Sequence, residues 1–135
     1  MKKYIVLIGL IFFLANCTSD DNTSENEDTT PVGEITYSKG VFTSGAHTTT
    51  GNASINSKKT ALQLSKFKTD AGPKLVVYLT TEVGSSDYVS LGDLKGIDGD
   101  YTYLIPSNTN LDKYNIVDIW CVDFSVSFGH AVLKK

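Results

Sequence analysis

The stretch "YNIVDIWCVDFSVSFGHAVL", Tyr114–Leu133, decides the predicted fold because it contains two adjacent runs of strand-forming residues. Val117–Val122 and Ser125–Leu133 are both rich in β-branched and aromatic side chains, which favour strands. No part of the chain from residue 35 onward shows a persuasive helical period of apolar residues. The stretch therefore predicts two strands and indicates a fold built from strands.

Six further runs of the same kind precede this stretch, separated by clusters of Gly, Asn, Asp and Pro. These clusters include "DAGP" at Asp70–Pro73 and "GIDGD" at Gly96–Asp100, both typical of turns. The six predicted strands are Thr36–Ser44, Thr48–Asn56, Ala61–Lys66, Lys74–Thr81, Tyr88–Leu91 and Tyr101–Ile105. About eight short strands in one domain, residues 35–135, predict an all-β fold: an antiparallel β-sandwich or a partly closed barrel.

Alternation along Ile116–Phe128 gives a first prediction for Cys121 and Trp120. If this stretch were one continuous strand, Trp120 would lie on its more apolar face and point into the core. Cys121 would then point away from that core. A bulge or turn near Asp123 would exchange the two faces, however, so the burial of Cys121 stays open.

The N-terminus predicts secretion and lipidation. Residues 1–16 combine two lysines with a short apolar run, which is typical of a signal peptide and too short to span a bilayer. "LANC", Leu14–Cys17, resembles a bacterial lipobox, in which Cys17 becomes the acylated N-terminus. The alternative is an ordinary secreted protein that begins with a free thiol. Several acyl chains on Cys17 would hold the protein firmly to a membrane.

Residues 17–34 predict a disordered tether. This segment carries six acids, no lysine and almost no apolar side chain, so it cannot bury enough surface to fold. Acids close to a lipidated cysteine also resemble the surface-export signal of lipoproteins in the Bacteroidetes group, although a plain spacer is equally consistent. We expect a cell-envelope protein anchored to the outer membrane by lipid, with surface exposure left open.

Charge and cysteine content exclude several classes of function. Residues 35–135 hold ten lysines and nine acids, close to neutral, and the chain has no arginine. Nucleic-acid binders carry clustered basic residues, so nucleic acid is not an expected partner. With Cys17 committed to lipid, Cys121 has no intramolecular disulfide partner. It must be buried, paired between molecules, or a ligand.

Known catalytic and metal motifs are missing. His47 and His130 are the only histidines, and neither stands in a recognisable protease signature beside Cys121. Blue copper sites usually add a methionine, but the only one here is Met1. Paired cysteines with zinc spacing and the haem-attachment motif are also missing. We expect neither an enzyme nor a metal site.

The order of motifs nevertheless resembles a known family. "KGVFTSGAHTTTGNASI", "LQLSKF", "GPKLVVYL", "LGDLKGIDGDYTYLIP" and "YNIVDIWCVDFSVSFGHAVL" together are similar to the DM-thirteen domain, an extracytoplasmic β-module, from about Lys39 to Leu133. The Ile-Trp-Cys element is the most specific piece. Lys74 departs from the acidic residue common in the family, which argues against a cation role for its loop.

The resemblance implies an electron-transfer module in which Cys121 acts as a bare thiol or holds a prosthetic group such as haem. His47 and Trp120 are secondary candidates, and a redox partner protein is implied. This hypothesis predicts a pocket or an accessible patch beside Cys121. The alternative is a non-catalytic surface-binding or structural module with an inert cysteine, which predicts full burial and no adjacent cavity.

Overall fold

The computed structural model describes residues 35–135, which form eight β-strands and no helix. No helix long and apolar enough to cross a membrane exists in this part of the chain. The expectations for residues 1–34, namely the signal peptide, lipidation of Cys17 and the acidic tether, lie outside the described residues. The strands are β1 Thr36–Ser44, β2 Thr50–Asn56, β3 Ala61–Lys68, β4 Leu75–Thr80, β5 Tyr88–Asp93, β6 Asp98–Leu104, β7 Ile116–Cys121 and β8 Val126–Val132.

All eight strands belong to one antiparallel sheet with the order β5-β4-β7-β8-β1-β2-β3-β6. Its two edge strands, β5 and β6, follow each other in sequence and are joined only by the short segment 94–97. The sheet therefore curls into a nearly closed, barrel-like form, which confirms the all-β prediction and selects the barrel over the sandwich.

The inside of this sheet is filled by apolar side chains from its strands, with the edge strand β5 contributing only the partly buried Val89 and Leu91, and by residues that follow β6 and β8. On β4, Leu75, Val77 and Leu79 stand directly opposite Cys121, Ile119 and Val117 of β7, and all six are buried. Directly opposed residues of an antiparallel pair share a face, so these six form one inward layer. The other inward residues include Phe42, Ala53, Ile55, Leu62, Leu64, Phe67, Tyr103, Ile105, Leu111, Phe128 and Ala131.

The strand that contains Cys121 ends earlier than a continuous Ile116–Phe128 strand would, and this corrects the predicted orientation. β7 stops at Cys121, a turn follows in which Ser125 has a φ of 53°, and Phe128 forms a bulge. Phe124 is 60% exposed because it belongs to the turn and contributes nothing to an inward face. The orientation expected of one continuous strand was therefore wrong, and the alternative of a turn near Asp123 holds: Cys121 is in the core and Trp120 faces out.

Candidate functional site

Cys121 closes the inward layer at one end of the barrel. It is 0% exposed, lies opposite Leu75 on one side and Val126 on the other, and is the free cysteine of the described residues. Its neighbours in the core are apolar. The thiol is therefore shielded from solvent, and reagents do not reach it in this conformation.

Two side chains meet at this end of the barrel under a glycine. A Cβ added to Gly72 would lie 2.9 Å from Cζ of Phe128 and 3.0 Å from Cδ2 of Leu75. The segment before β4 thus runs directly across both side chains, and a larger residue at position 72 would displace them. We call Gly72, Leu75 and Phe128 the cap of the cysteine end.

His47 lies on this cap. Its ring centroid is 3.9 Å from that of Phe128, with the planes tilted by 30°. Nδ1 of His47 is 3.0 Å from Oδ2 of Asp70, and the backbone N–H of His47 donates to the carbonyl of Phe128. The histidine predicted as a secondary candidate therefore belongs to the cysteine end, but Phe128 stands between it and the interior.

Thr49 fixes the bulge that carries Phe128. Thr49 is 1% exposed. Its hydroxyl donates to the carbonyl of Phe128 at 2.9 Å and lies 2.8 Å from the hydroxyl of Thr69. A Cβ at Gly129 would come within 2.4 Å of the Thr49 side chain, so only glycine fits there. These contacts join the ends of β2, β3 and β8 and hold the cap in place.

A small open cavity adjoins the cap. Its volume is about 280 Å³, and it is lined by residues 71–75 together with Asp93, Leu94 and Ile97. Leu75 lines this cavity and is also the cross-strand neighbour of Cys121, whereas Cys121 itself does not line it. Leu75 is thus the residue that the cavity lining shares with the strand pair that holds the thiol.

The cysteine end does not fit a haem. Ligand pockets generally enclose about 300–1,000 Å³, and a haem needs an open axial approach to its ligand atom. Here the thiol is fully buried, and Cys121 does not line the cavity of about 280 Å³. Within residues 35–135, no group of three His, Cys, Asp or Glu side chains is arranged to hold a metal ion.

The outward face of β7 holds a polar cluster that the sequence predictions missed. Asp118 is 1% exposed; the hydroxyl of Ser127 donates to its Oδ1, and the N–H of Gly84 donates to its Oδ2 at 3.2 Å. Burial raises the pKa of Asp118, against the opposing effect of these hydrogen bonds. His130 stands directly opposite, with a buried Nδ1 that has no hydrogen-bond partner among the described residues. The only sequence signal was that Asp118 interrupts an apolar face.

Aromatic residues surround this cluster. Tyr78 lies opposite Asp118 on β4 and stacks on Tyr88 with ring centroids 3.8 Å apart. Desolvation and the hydrogen bond with Tyr88 raise the pKa of Tyr78 to about 12. The ring of Trp120 approaches Gly84 of the loop that covers the face, within 3.7 Å of a Cβ added there. Trp120 therefore belongs to this outward cluster, on the opposite side of the strand from the thiol.

Comparison with known protein families gives a match that covers almost the whole barrel. The model of a family described as "Electron transfer DM13" matches residues 41–133, which is well over half of the chain and almost all of the described barrel. No curated protein and no solved structure matches the chain. Because the match spans β1 to β8 and includes Cys121, the chain belongs to the DM13 electron-transfer family.

Proposed function

We propose that this protein is a non-enzymatic redox module of the cell envelope, held to the outer membrane by lipid on Cys17, in which Cys121 is the redox group. The observation that carries the proposal is the position of Cys121 at the end of the inward layer, directly opposite Leu75, which lines an open cavity. Membership of an electron-transfer family supports a redox role.

The closed geometry favours a bare thiol over a ligand for a prosthetic group. A thiol requires only that a partner's sulfur reach it, whereas a haem requires space that the cap fills. Reaction with a partner disulfide would proceed by attack of the Cys121 thiolate on one sulfur. That attack forms a mixed disulfide and releases the other sulfur as a thiolate. The attack and the mixed disulfide both require that the side chain of Leu75 or Phe128 move first, because the thiol is buried.

Two matched substitutions on β4 test this role. Leu75→Ala truncates a buried side chain that lines the cavity and lies opposite Cys121, while Leu79→Ala truncates a buried side chain opposite Val117, away from the cysteine. We expect Leu75→Ala to raise the rate at which Cys121 reacts with an aromatic disulfide reagent by about tenfold or more. Leu79→Ala should raise the reaction rate of Cys121 only to the extent that the substitution lowers global stability. In that variant the reagent still reaches the thiol only when the protein unfolds.

Cys121→Ser supplies the background rate for these measurements. If the loss of unfolding free energy in each variant accounts for its whole rate increase, the thiol is reached only from the unfolded chain. That result would contradict a gated redox thiol.

The second candidate is a structural or surface-binding module with an inert cysteine. The observation that favours it is the complete burial of Cys121 among apolar side chains, the usual setting of a packing cysteine. A reaction rate that follows global stability in every variant would support this candidate. The absorption spectrum with added haem gives a second measurement: no Cys121-dependent shift is expected under either candidate.

The lipid anchor has its own test. Mass spectrometry of the mature N-terminal peptide should show acyl chains on Cys17, and Cys17→Ala should release the protein from membranes. Recovery of an unmodified Cys17 at a free N-terminus would instead support an ordinary secreted protein. Protease accessibility on intact cells would then distinguish a surface-exposed orientation from a periplasmic one.

A further inference from the structure

A groove of about 940 Å³ lies on the outer face of the barrel, over β1, β2, β3 and the chain end that follows β8. Outward side chains of directly opposed residues form one row across it: Lys39 is opposite Lys134 on one side and Ser54 on the other. We call this surface the Lys39 groove. Its lining includes three lysines and no acid.

The two lysines at the head of this row carry like charges that face each other. Lys39 and Lys134 exchange both backbone hydrogen bonds at 2.9 Å, so their side chains leave the same face of a directly opposed pair. Like charges in that position are destabilising. Lys135 is neutralised by Asp112 at 2.6 Å, but within residues 35–135 neither Lys39 nor Lys134 forms an ion pair. An anion between them would relieve their repulsion.

The rest of the lining offers short hydrogen-bonding side chains. Thr43, Asn52, Ser54 and Ser65 contribute hydroxyl and amide groups, and the exposed side chains of Val41 and Val132 provide an apolar strip beside them. Such a mixture suits a ligand that carries many hydroxyl groups and a few charges. The chain has no arginine, so the fork geometry preferred by phosphate is missing here.

A peptide strand cannot add to the sheet at this place. β1 lies between β8 and β2, and β2 lies between β1 and β3, so no sheet edge is free along the groove. Binding by strand addition needs such an edge. The groove is also concave, whereas a flat membrane surface would meet a protruding face. A flexible polymer that reaches into the groove with its own hydroxyl and carboxylate groups fits both features.

The Lys39 groove is separate from the cysteine end. β8 starts at Val126, near Cys121, and runs to Val132, which lines the groove. The two sites therefore stand at opposite ends of β8. A ligand in the groove does not need the cap to open, and a partner at the thiol does not need the groove.

From these contacts we propose that the Lys39 groove binds an acidic oligosaccharide of the uronate type. Lys39 and Lys134 pair with its carboxylates, while Asn52 and Ser54 hydrogen-bond its hydroxyl groups. The groove would thus attach the protein to anionic carbohydrate, a function independent of the proposed redox thiol.

Calorimetry with the purified protein and oligogalacturonate tests the proposal. We expect saturable binding that weakens with salt, and a tenfold or greater loss of affinity in the double variant Lys39→Gln, Lys134→Gln. The matched control is Lys58→Gln, an exposed lysine outside the groove, which should leave the affinity unchanged. Asn52→Ala should weaken binding severalfold without changing its salt dependence, because it removes hydrogen bonds and no charge.

Polyglutamate and neutral dextran complete the experiment. Dextran should not bind measurably, and polyglutamate should bind at least tenfold more weakly than oligogalacturonate. Equal affinity for polyglutamate would assign the groove to an acidic peptide and overturn the carbohydrate proposal. Absence of oligogalacturonate binding, or binding that the double variant retains, would also overturn it. Circular dichroism of each variant verifies that the fold is intact. None of these results bears on Cys121.

Discussion

Both faces of β7 contain buried residues, but those residues differ in kind. Val117, Ile119 and Cys121 point inward and belong to the apolar core cluster of the barrel. Asp118 points outward and is just as inaccessible, because the loop with Gly84 covers it and supplies one of its hydrogen bonds. One face is held by packing and the other by a polar network under a loop.

The difference shows that a residue can be buried, as Asp118 is, without belonging to the apolar core of the barrel. The inward face depends on volume, so it tolerates no loss of side chain and no polar atom without a partner. The outward face depends on specific donors, so it tolerates changes of volume better than loss of a hydrogen bond. Cys121 belongs to the first kind, so packing alone keeps its thiol inaccessible in this conformation.

Ile119→Ala should have the largest effect. Truncating this fully buried residue leaves a cavity and should lower the free energy of unfolding by about 2–5 kcal/mol. Trp120→Ala, the adjacent outward residue, should cost less because Trp120 is only half-buried. Urea unfolding measures the free energy of unfolding of both variants. An equal or larger loss at Trp120 would mean that the outward face, rather than the interior, carries the stability of β7.

Ser127→Ala should have the next largest effect on the free energy of unfolding. It removes the hydroxyl that donates to the buried Asp118, and hydrogen bonds to charged groups are worth about 1.5–3 kcal/mol. Ser57→Ala, in the exposed turn between β2 and β3, is the control and should change the unfolding free energy little. If the two variants are equally stable, the polar network does not hold the outward face.

Cys121→Ser tests the apolar character of the cysteine end. A hydroxyl at this position finds no polar partner in the apolar cluster, and an unsatisfied buried hydroxyl costs about 1–3 kcal/mol. Cys121→Ala keeps the site apolar and should cost less, as urea unfolding will show. A serine variant as stable as the alanine variant would reveal a hydrogen-bond partner at the thiol and so a more polar site.

The smallest effect is the pH dependence of Asp118. Because burial raises its pKa in the folded protein, the folded chain takes up this proton more readily than the unfolded chain. The stability of the wild type relative to Asp118→Asn should therefore fall as pH rises from 3.8, the ordinary pKa of an aspartate side chain, through the raised pKa of the folded protein, and then level off. Urea midpoints of both proteins between pH 3 and pH 8 give this difference. A difference that rises with pH would show that the hydrogen bonds outweigh burial.

The sequence was sufficient for the class of fold and for most strands. Regular alternation of β-branched runs with turn clusters predicted eight strands, and the predicted β1 has the observed bounds. The orientation of Cys121 was not predictable, because it depends on where β7 ends. Val122 and Phe124 are apolar but lie in the turn, so counting them as strand residues inverted the two faces. Turns are predicted from residues such as Gly, Pro, Asn, Asp and Ser, so composition alone does not reveal a turn that contains apolar side chains.

The candidate site was predictable only in part. The family resemblance identified Cys121 and His47, and the structure brings them to one end of the barrel with Phe128 between them. Asp118, His130 and Gly84 were not predicted as a cluster, because their contacts join residues far apart in sequence through a loop. The Lys39 groove was missed for the same reason: Lys39 and Lys134 are neighbours only because the chain end pairs with β1.

The gap between β5 and β6 has a consequence for the behaviour of many copies held close together. Each molecule presents two strands whose outer backbone groups lack a neighbouring strand, and such edges invite pairing between molecules. Carboxylates occupy both edges at this gap, Asp93 on β5 and Asp98 and Asp100 on β6. Asp93 pairs with Lys74 and Asp98 with Lys68, so the seam carries charged side chains of both signs. Charged side chains along an edge oppose the edge-to-edge joining of crowded copies, so the open seam is compatible with separate molecules.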